Sequence, residues 1–173
     1  MWRIVSGALS ALLVLWPFPA LSQTTDIPPL RVLSAAFDDS DAMRRCGVSY
    51  SSAVAQAMAT VRYNGVPLAN QSDTAAPTLW IWLHAITPRY VSGRYDGGCS
   101  VMVDVEIMQF AMVLIEGQTY AGTGFVQLCS SGESVTGTSG NMTNPTNDAV
   151  ENQVNQCLAE ARENFARAHG LVP

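Results

Sequence analysis

A stretch of alternating side chains near the middle of the sequence constrains the fold most. From Cys99 to Met108, every second residue is a cysteine, valine or isoleucine, and serine, methionine or acidic residues lie between them. This period of two predicts a strand with one buried face and one largely wet face. Glu116-Gly117-Gln118 has the composition of a turn, and residues 119–129 return as a second strand rich in Thr, Tyr, Phe and Val. Residues 97–129 therefore predict an antiparallel hairpin with a cysteine near each open end.

The cysteines indicate an oxidised, exported protein. The sequence contains four of them, Cys46, Cys99, Cys129 and Cys157. An even number in an exported chain favours two disulfides, for which three connectivities are possible. There is no C-x-x-C spacing, and the two histidines, His84 and His169, lie far apart. We therefore predict structural cysteines, no metal site and no cofactor.

The N-terminal residues resemble an export signal. Arg3 precedes an apolar run over residues 4–16, and small residues stand at Ala20 and Ser22, the positions that a signal peptidase reads. We predict that residues 1–22 are a signal peptide cleaved after Ser22. The alternative, an uncleaved anchoring helix, is less favoured because the apolar run falls short of the roughly 20 residues that a bilayer span needs. Residues 23–173 would form one exported domain with no transmembrane segment.

The net charge of the protein indicates which classes of molecule it could bind. The 173 residues carry a net charge of −5, and all nine basic residues are arginine. Binding to nucleic acid depends mainly on cationic side chains, so nucleic acid is not expected as a partner. A protein or another envelope component is expected instead. Arginine without lysine is typical of a GC-rich bacterial genome, and the predicted location is periplasmic or extracellular.

Two helices have clear boundaries in the sequence. The first is predicted over residues 49–63, with Ser49 as N-cap and Asn64-Gly65 as the stop. The second is predicted over residues 148–169, with Asp148 as an acidic cap, and its apolar stripe includes Cys157. His169, at the end of that helix, is better explained by the helix dipole than as a catalytic base.

The remaining segments predict two more strands and two mobile regions. Leu30–Phe37 is a short first strand, and Thr78–Ile86 is apolar on both alternating faces, as in a central strand covered on both sides. Residues 23–29 and 130–147 are polar and rich in Pro, Ser, Gly, Thr or Asn, and we expect both to be mobile.

Assembled in order, these elements predict an α+β fold. A single small domain would run strand, helix, strand, strand, strand, helix, with a mostly antiparallel sheet packed by two helices. A crossover would make the first two strands parallel. A tight turn at Glu116-Gly117 would place Cys129 opposite a residue near Asp104, which argues against a bond between the two hairpin cysteines. We therefore predict that the two disulfides join residues 46 and 99 and residues 129 and 157.

Three groups of residues could form a binding site. Trp80, Trp82 and His84 point to the same side of their strand and could form an aromatic platform for a sugar or a peptide; the alternative is a core face. The acidic run Asp38-Asp39-Ser40-Asp41 could bind calcium, although a helix cap or a solvated turn explains it better. The third group is a loop that could receive a carboxylate or a phosphate on Arg89, Arg94, Tyr90 and Tyr95.

The sequence favours binding over catalysis. It has no G-x-S-x-G, Ser-x-x-Lys or H-E-x-x-H motif. Asp104 and Glu106 share a strand face at about 7 Å, a separation that two-carboxylate hydrolases use. We predict an exported, non-enzymatic binding or accessory module. The alternatives are a self-associating envelope subunit that pairs through the outer hairpin strand, and, less favoured, a carboxylate-based hydrolase. An exposed apolar patch around Trp80 or between Met102 and Met108 would support the binding module.

Overall fold

The computed structural model describes residues 27–36, 40–87, 97–114 and 121–168. In chain order the elements are β1 (Arg31–Ala36), α1 (Ser40–Cys46), α2 (Tyr50–Tyr63), β2 (Thr78–Ile86), β3 (Gly98–Leu114), β4 (Ala121–Thr138) and α3 (Thr143–Ala168). The four strands form one sheet in the order β1-β2-β3-β4, with β1 parallel to β2 and the other pairs antiparallel. The predicted α+β domain is confirmed, with the short helix α1 as an addition.

The helices pack on one face of this sheet, which we call the helix-covered face. α3 contacts β3 and β4, and α2 contacts α3 and β1. The strand side chains beneath them are fully buried: Leu79, Ile81, Leu83, Val101, Val103, Val105 and Ile107. The opposite face, which we call the open face, has no helix or strand layer over it in the described part of the chain. The prediction that β2 is covered on both sides is therefore not met by the described residues.

Helix α2 has the predicted boundaries. The Ser49 side chain accepts a hydrogen bond from the backbone N–H of Ser52 at 3.3 Å and caps the first turn. The helix ends at Asn64, and Gly65 follows with φ of +74°, a conformation that glycine adopts without strain. Local sequence signals were sufficient here because both caps lie within the segment itself.

Helix α3 begins at Thr143, so the prediction of Asp148 as its cap is wrong. The earlier start is held by contacts with the turn after α1. The Thr143 hydroxyl donates to the Gly47 carbonyl, and the backbone N–H of Met142 donates to the Cys46 carbonyl at 3.1 Å. Pro145 is tolerated because the N–H groups of a first turn have no acceptor within the helix.

Strand β4 continues through most of the segment predicted to be mobile. Residues 130–138 are strand, and residues 143–147 belong to α3. The Ser131 hydroxyl donates to the Gln153 carbonyl at 3.0 Å, and the Gln153 amide donates to the Glu133 carboxylate at 3.1 Å. The segment is therefore regular strand and helix, because these polar side chains bond to α3. Of the other segment predicted to be mobile, residues 27–29 are described, and Ile27 is buried.

The hairpin register also differs from the prediction. Cys129 lies opposite Ile107, not near Asp104, because β3 and β4 extend to Leu114 and Ala121. A β-bulge at Leu128 shifts the pairing, so that Met108 lies opposite Gln127. The bulge carbonyl accepts a hydrogen bond from the Asn164 side chain of α3 at 2.8 Å.

Two disulfides join the helix layer to the sheet, in the predicted pairing. Cys46 bonds to Cys99 and links α1 to β3, with 5.7 Å between the Cα atoms. Cys129 bonds to Cys157 and links β4 to α3, with 5.3 Å between the Cα atoms. All four cysteines are buried on the helix-covered face.

Several predictions lie outside the described residues. They are the signal peptide at 1–22, the turn at 116–118, the loop with Arg89, Tyr90, Arg94 and Tyr95, the acids Asp38 and Asp39, and His169. Of the acidic run, Ser40 and Asp41 begin α1. No described helix is both long and apolar enough to cross a bilayer.

Candidate functional site

The strand register places the side chains of the open face in rows that cross the sheet. The central rows pair Trp80 with Glu106 and Ser130, Trp82 with Asp104 and Gly132, and His84 with Met102 and Ser134. Towards one end of the sheet, the next row contains Arg31, Thr78, Met108 and Gln127, and the row after it contains Phe110 and Phe125. Successive rows are about 7 Å apart, the rise of two strand residues.

The three residues predicted as an aromatic platform do lie on this face. The rings of Trp80 and Trp82 are stacked, with centroids 5.5 Å apart and planes 17° apart, and both side chains are half-buried. His84 follows at the next position on the same face. Stacking gives the two indoles one fixed surface, as a binding platform requires. That this surface binds a ligand stays a prediction.

Large apolar side chains are uncovered on both sides of the tryptophans. Met102 is 46% exposed, Phe110 is 51% exposed and Phe125 is 73% exposed. The two phenylalanine rings meet edge to face, with centroids 5.6 Å apart. Single exposed apolar residues are ordinary on a protein surface, but these belong to one face of one sheet.

Two carboxylates lie in the middle of the open face. Asp104 and Glu106 are the cross-strand neighbours of Trp82 and Trp80. Neither forms a hydrogen bond or an ion pair with another described residue. The Asp104 carboxylate extends over Gly132, where a Cβ atom would lie 2.1 Å from its Oδ1 atom. Gly132 thus provides the space that this side chain occupies.

These acids do not form a metal centre with other described side chains. Among the described residues, no three His, Cys, Asp or Glu side chains lie close enough together to bind a metal ion. Asp104 and Glu106 instead present acceptors at the surface, where a donor from outside the chain could reach them. The arrangement suits recognition of a cation better than hydrolysis, because indole rings also attract cations.

A pocket of about 380 Å³ opens at one end of the open face. Its lining includes Arg31, Thr78, Trp80, Met108, Phe110 and Phe125. The Arg31 guanidinium donates through Nη2 to the Thr78 hydroxyl at 2.6 Å, and the Nε atom is buried without an acceptor among the described residues. A cation therefore lies among mostly apolar and aromatic side chains.

Part of the signal for these additional residues is present in the sequence. Phe110 continues the alternation that starts at Ser100, so its place beside Met108 follows from the period of two. Phe125 lies an even number of residues before Cys129 on the same strand, so plain alternation would place both side chains on the helix-covered face. The bulge at Leu128 reverses this and turns Phe125 to the open face.

The similarity of this chain to known proteins is weak. No protein-family model and no curated protein matches the chain. The solved structure of rare lipoprotein B from Shewanella oneidensis is 14% identical over 80% of this chain and 96% of that one, with a TM-score of 0.32. A protein described as a lipoprotein from Caulobacter crescentus CB15 is 13% identical over 82% of this chain and 93% of that one, with a TM-score of 0.21. Similarity at this level assigns neither a family nor a function to the chain.

Proposed function

We propose that the chain is an exported, non-enzymatic accessory module that docks a partner protein on its open sheet face. One observation carries this proposal: helices pack on one face of the sheet, whereas on the other face, within the described residues, Met102, Phe110 and Phe125 are exposed beside a stacked, half-buried pair of tryptophans. Tryptophan, phenylalanine and methionine are enriched at protein interfaces, and contiguous apolar patches on monomers often mark such sites.

Charge indicates the chemistry of the partner. Asp104 and Glu106 lie beside the tryptophans without an ion pair within the described residues. A partner that places arginine or lysine here would gain both carboxylate contacts and cation–π contacts with the indoles. A second copy placed face to face would bring these acids close to their own counterparts, and like charges at an interface are unfavourable. The open face therefore fits a different protein better than itself.

Two features support export. Residues 1–22 have the pattern of a signal peptide, and the four cysteines are paired as two disulfides. Disulfides persist in oxidising compartments such as the periplasm, whereas the cytosol reduces them.

Self-association through β4 is the second candidate. β4 is an outer strand of 18 residues, and an uncovered strand edge is a template for pairing. The bulge at Leu128 interrupts this edge, and the Asn164 side chain already occupies its carbonyl. Both features weaken continuous pairing, so this candidate ranks below docking on the face.

Site-specific photo-crosslinking in cells tests the proposal. A photoreactive residue at Met102 should give one discrete adduct with a different protein. The same residue at Tyr63, which is 92% exposed beyond the helix layer, is the matched control and should not give it. The double variant D104N/E106Q should reduce the adduct from position 102. No adduct from position 102, or one of equal yield from position 63, would refute the proposal, and an adduct of twice the chain's own mass would favour self-association.

A further inference from the structure

The pocket at the end of the open face contains a positive charge that nothing in the described structure balances. Arg31 lies at the start of β1, opposite Thr78 in the parallel register. Among the described residues, Arg44 pairs with Asp41 and Arg167 pairs with Glu163, and neither of these ion pairs involves Arg31. Its Nε–H is buried and has no acceptor among the described residues, so a ligand in the pocket would be bound by the other guanidinium donors of Arg31. A guanidinium without a counter-charge among apolar side chains is unfavourable unless a bound anion balances it.

The guanidinium is held in place before any ligand arrives. Its Nη2 atom donates to the Thr78 hydroxyl at 2.6 Å, and Thr78 itself donates to the Ala76 carbonyl at 3.4 Å. Thr78 is 4% exposed, so this support is part of the packed structure. An arginine oriented in this way loses little freedom on binding an anion, which favours affinity.

The rest of the lining indicates what the anion is attached to. Trp80, Met108, Phe110 and Phe125 surround the space in front of Arg31. The two phenylalanine rings are more than half exposed and would be covered by an apolar group. The volume of about 380 Å³ is at the small end of the range of about 300–1,000 Å³ for ligand pockets, which suits a body of one ring or a short branched chain.

We propose that this pocket binds a monocarboxylate with an aromatic or branched apolar body. One guanidinium neutralises one negative charge, whereas a dianionic phosphate would leave excess charge among apolar side chains. The same chemistry occurs in a free organic acid and in the C-terminal carboxylate of a polypeptide that ends in an apolar residue. This inference does not rest on the proposed docking function, because a small acid can occupy the end of the face whether or not a protein covers its middle.

Calorimetric titration of the full-length protein with four probes tests the proposal. N-acetyl-phenylalanine should bind, and its amide, which lacks only the charge, should bind at least about tenfold more weakly. 3-Phenylpropanoate and an acetylated tripeptide acid that ends in phenylalanine distinguish the two sources of the carboxylate. If these two probes bind with equal affinity, the result indicates a free acid. A gain of about tenfold or more for the peptide indicates a polypeptide C-terminus.

Amino-acid substitutions test whether the probe binds in this pocket. Arg31→Gln should weaken binding of N-acetyl-phenylalanine by at least about tenfold, whereas Arg62→Gln, on the exposed side of α2, should leave it unchanged. If Arg31→Gln impairs folding, Phe125→Ala provides the test, since this ring is 73% exposed and its removal should weaken binding severalfold without unfolding the chain. Equal affinity for acid and amide, unchanged affinity in both pocket variants, or no heat up to about 10 mM acid would overturn the proposal.

Discussion

The two faces of the sheet come from the same strands and yet differ in almost every property. On the helix-covered face, Leu83 and Val103 are fully buried beneath the helices, and two disulfides fasten that layer to the sheet. On the open face, the neighbouring residues Trp82 and Met102 have no helix over them in the part of the chain that the structure describes. The helix-covered face thus accounts for the stability of the fold. Within the described residues, the open face keeps Met102, Phe110 and Phe125 exposed, and it is the face on which we propose that a partner docks.

The largest expected difference between the faces concerns truncation of core side chains. Leu83→Ala should lower the free energy of unfolding by about 2–5 kcal/mol, because it removes packed atoms and leaves a cavity. Met102→Ala, on the next strand but on the open face, should change it by less than about 0.5 kcal/mol. Urea denaturation of both variants measures the contrast. Equal costs would show that the open face is also a packed core.

Removal of one disulfide should have the next largest effect. The double variant Cys129→Ala/Cys157→Ala releases β4 from α3 and should cost about 2–4 kcal/mol of unfolding free energy. Comparison of wild type and variant in urea, each with and without reductant, measures it. Reductant should then destabilise the variant less than the wild type, because only the disulfide between residues 46 and 99 remains. An unchanged midpoint in the variant would show that α3 holds β4 without the crosslink.

Two glycines of β4 provide a finer comparison of the faces. A Cβ atom at Gly137 would lie 2.6 Å from the sulfur of Met142, which is fully buried. Gly137→Ala should therefore cost about 1–3 kcal/mol by overpacking. At Gly132 the only close contact of the same atom would be with the side chain of Asp104, which can rotate away on the open face, so Gly132→Ala should cost less than about 1 kcal/mol. Thermal melts of both variants test this order, and a larger loss at Gly132 would contradict it.

The smallest effect is a pH dependence on the helix-covered side. Tyr50 packs against the core, and burial raises the pKa of its phenol above the ordinary value of 10.0. The folded state therefore holds this proton more tightly than the unfolded state, and the resulting stability is present below pH 10 and lost as pH rises beyond it. Tyr50→Phe should reduce that alkaline loss. Urea unfolding at about pH 8 and about pH 11 measures it, and identical losses in both proteins would contradict the assignment.

Local sequence patterns predicted the elements whose determinants lie within one segment. The alternation in Thr78–Ile86 and from Cys99 onward placed β2 and the first part of β3, and Ser49 with Asn64-Gly65 placed α2. The disulfide pairing followed from the order of these elements. Each of these inferences depends on side-chain period or on a cap, both of which can be seen in a short window.

The errors arose where contacts between distant segments decide the structure. The start of α3 depends on a bond from Thr143 to Gly47, and the second half of β4 depends on bonds from Ser131 and Glu133 to α3. The candidate site was predicted only in part for the same reason. Trp80, Trp82 and His84 were evident from the sequence, but Phe125 reaches the open face through a bulge that no local pattern shows.

Oxidative footprinting of the chain, purified and in intact cells, tests most directly whether the open face is an occupied docking surface. Hydroxyl radicals should modify Met102 and Phe125 readily in the purified protein, because both are exposed. In cells, these two residues should be protected, while Tyr63, which is 92% exposed on the helix side, should react equally in both settings. Equal modification of Met102 and Phe125 in the two settings would contradict a docked partner on this face.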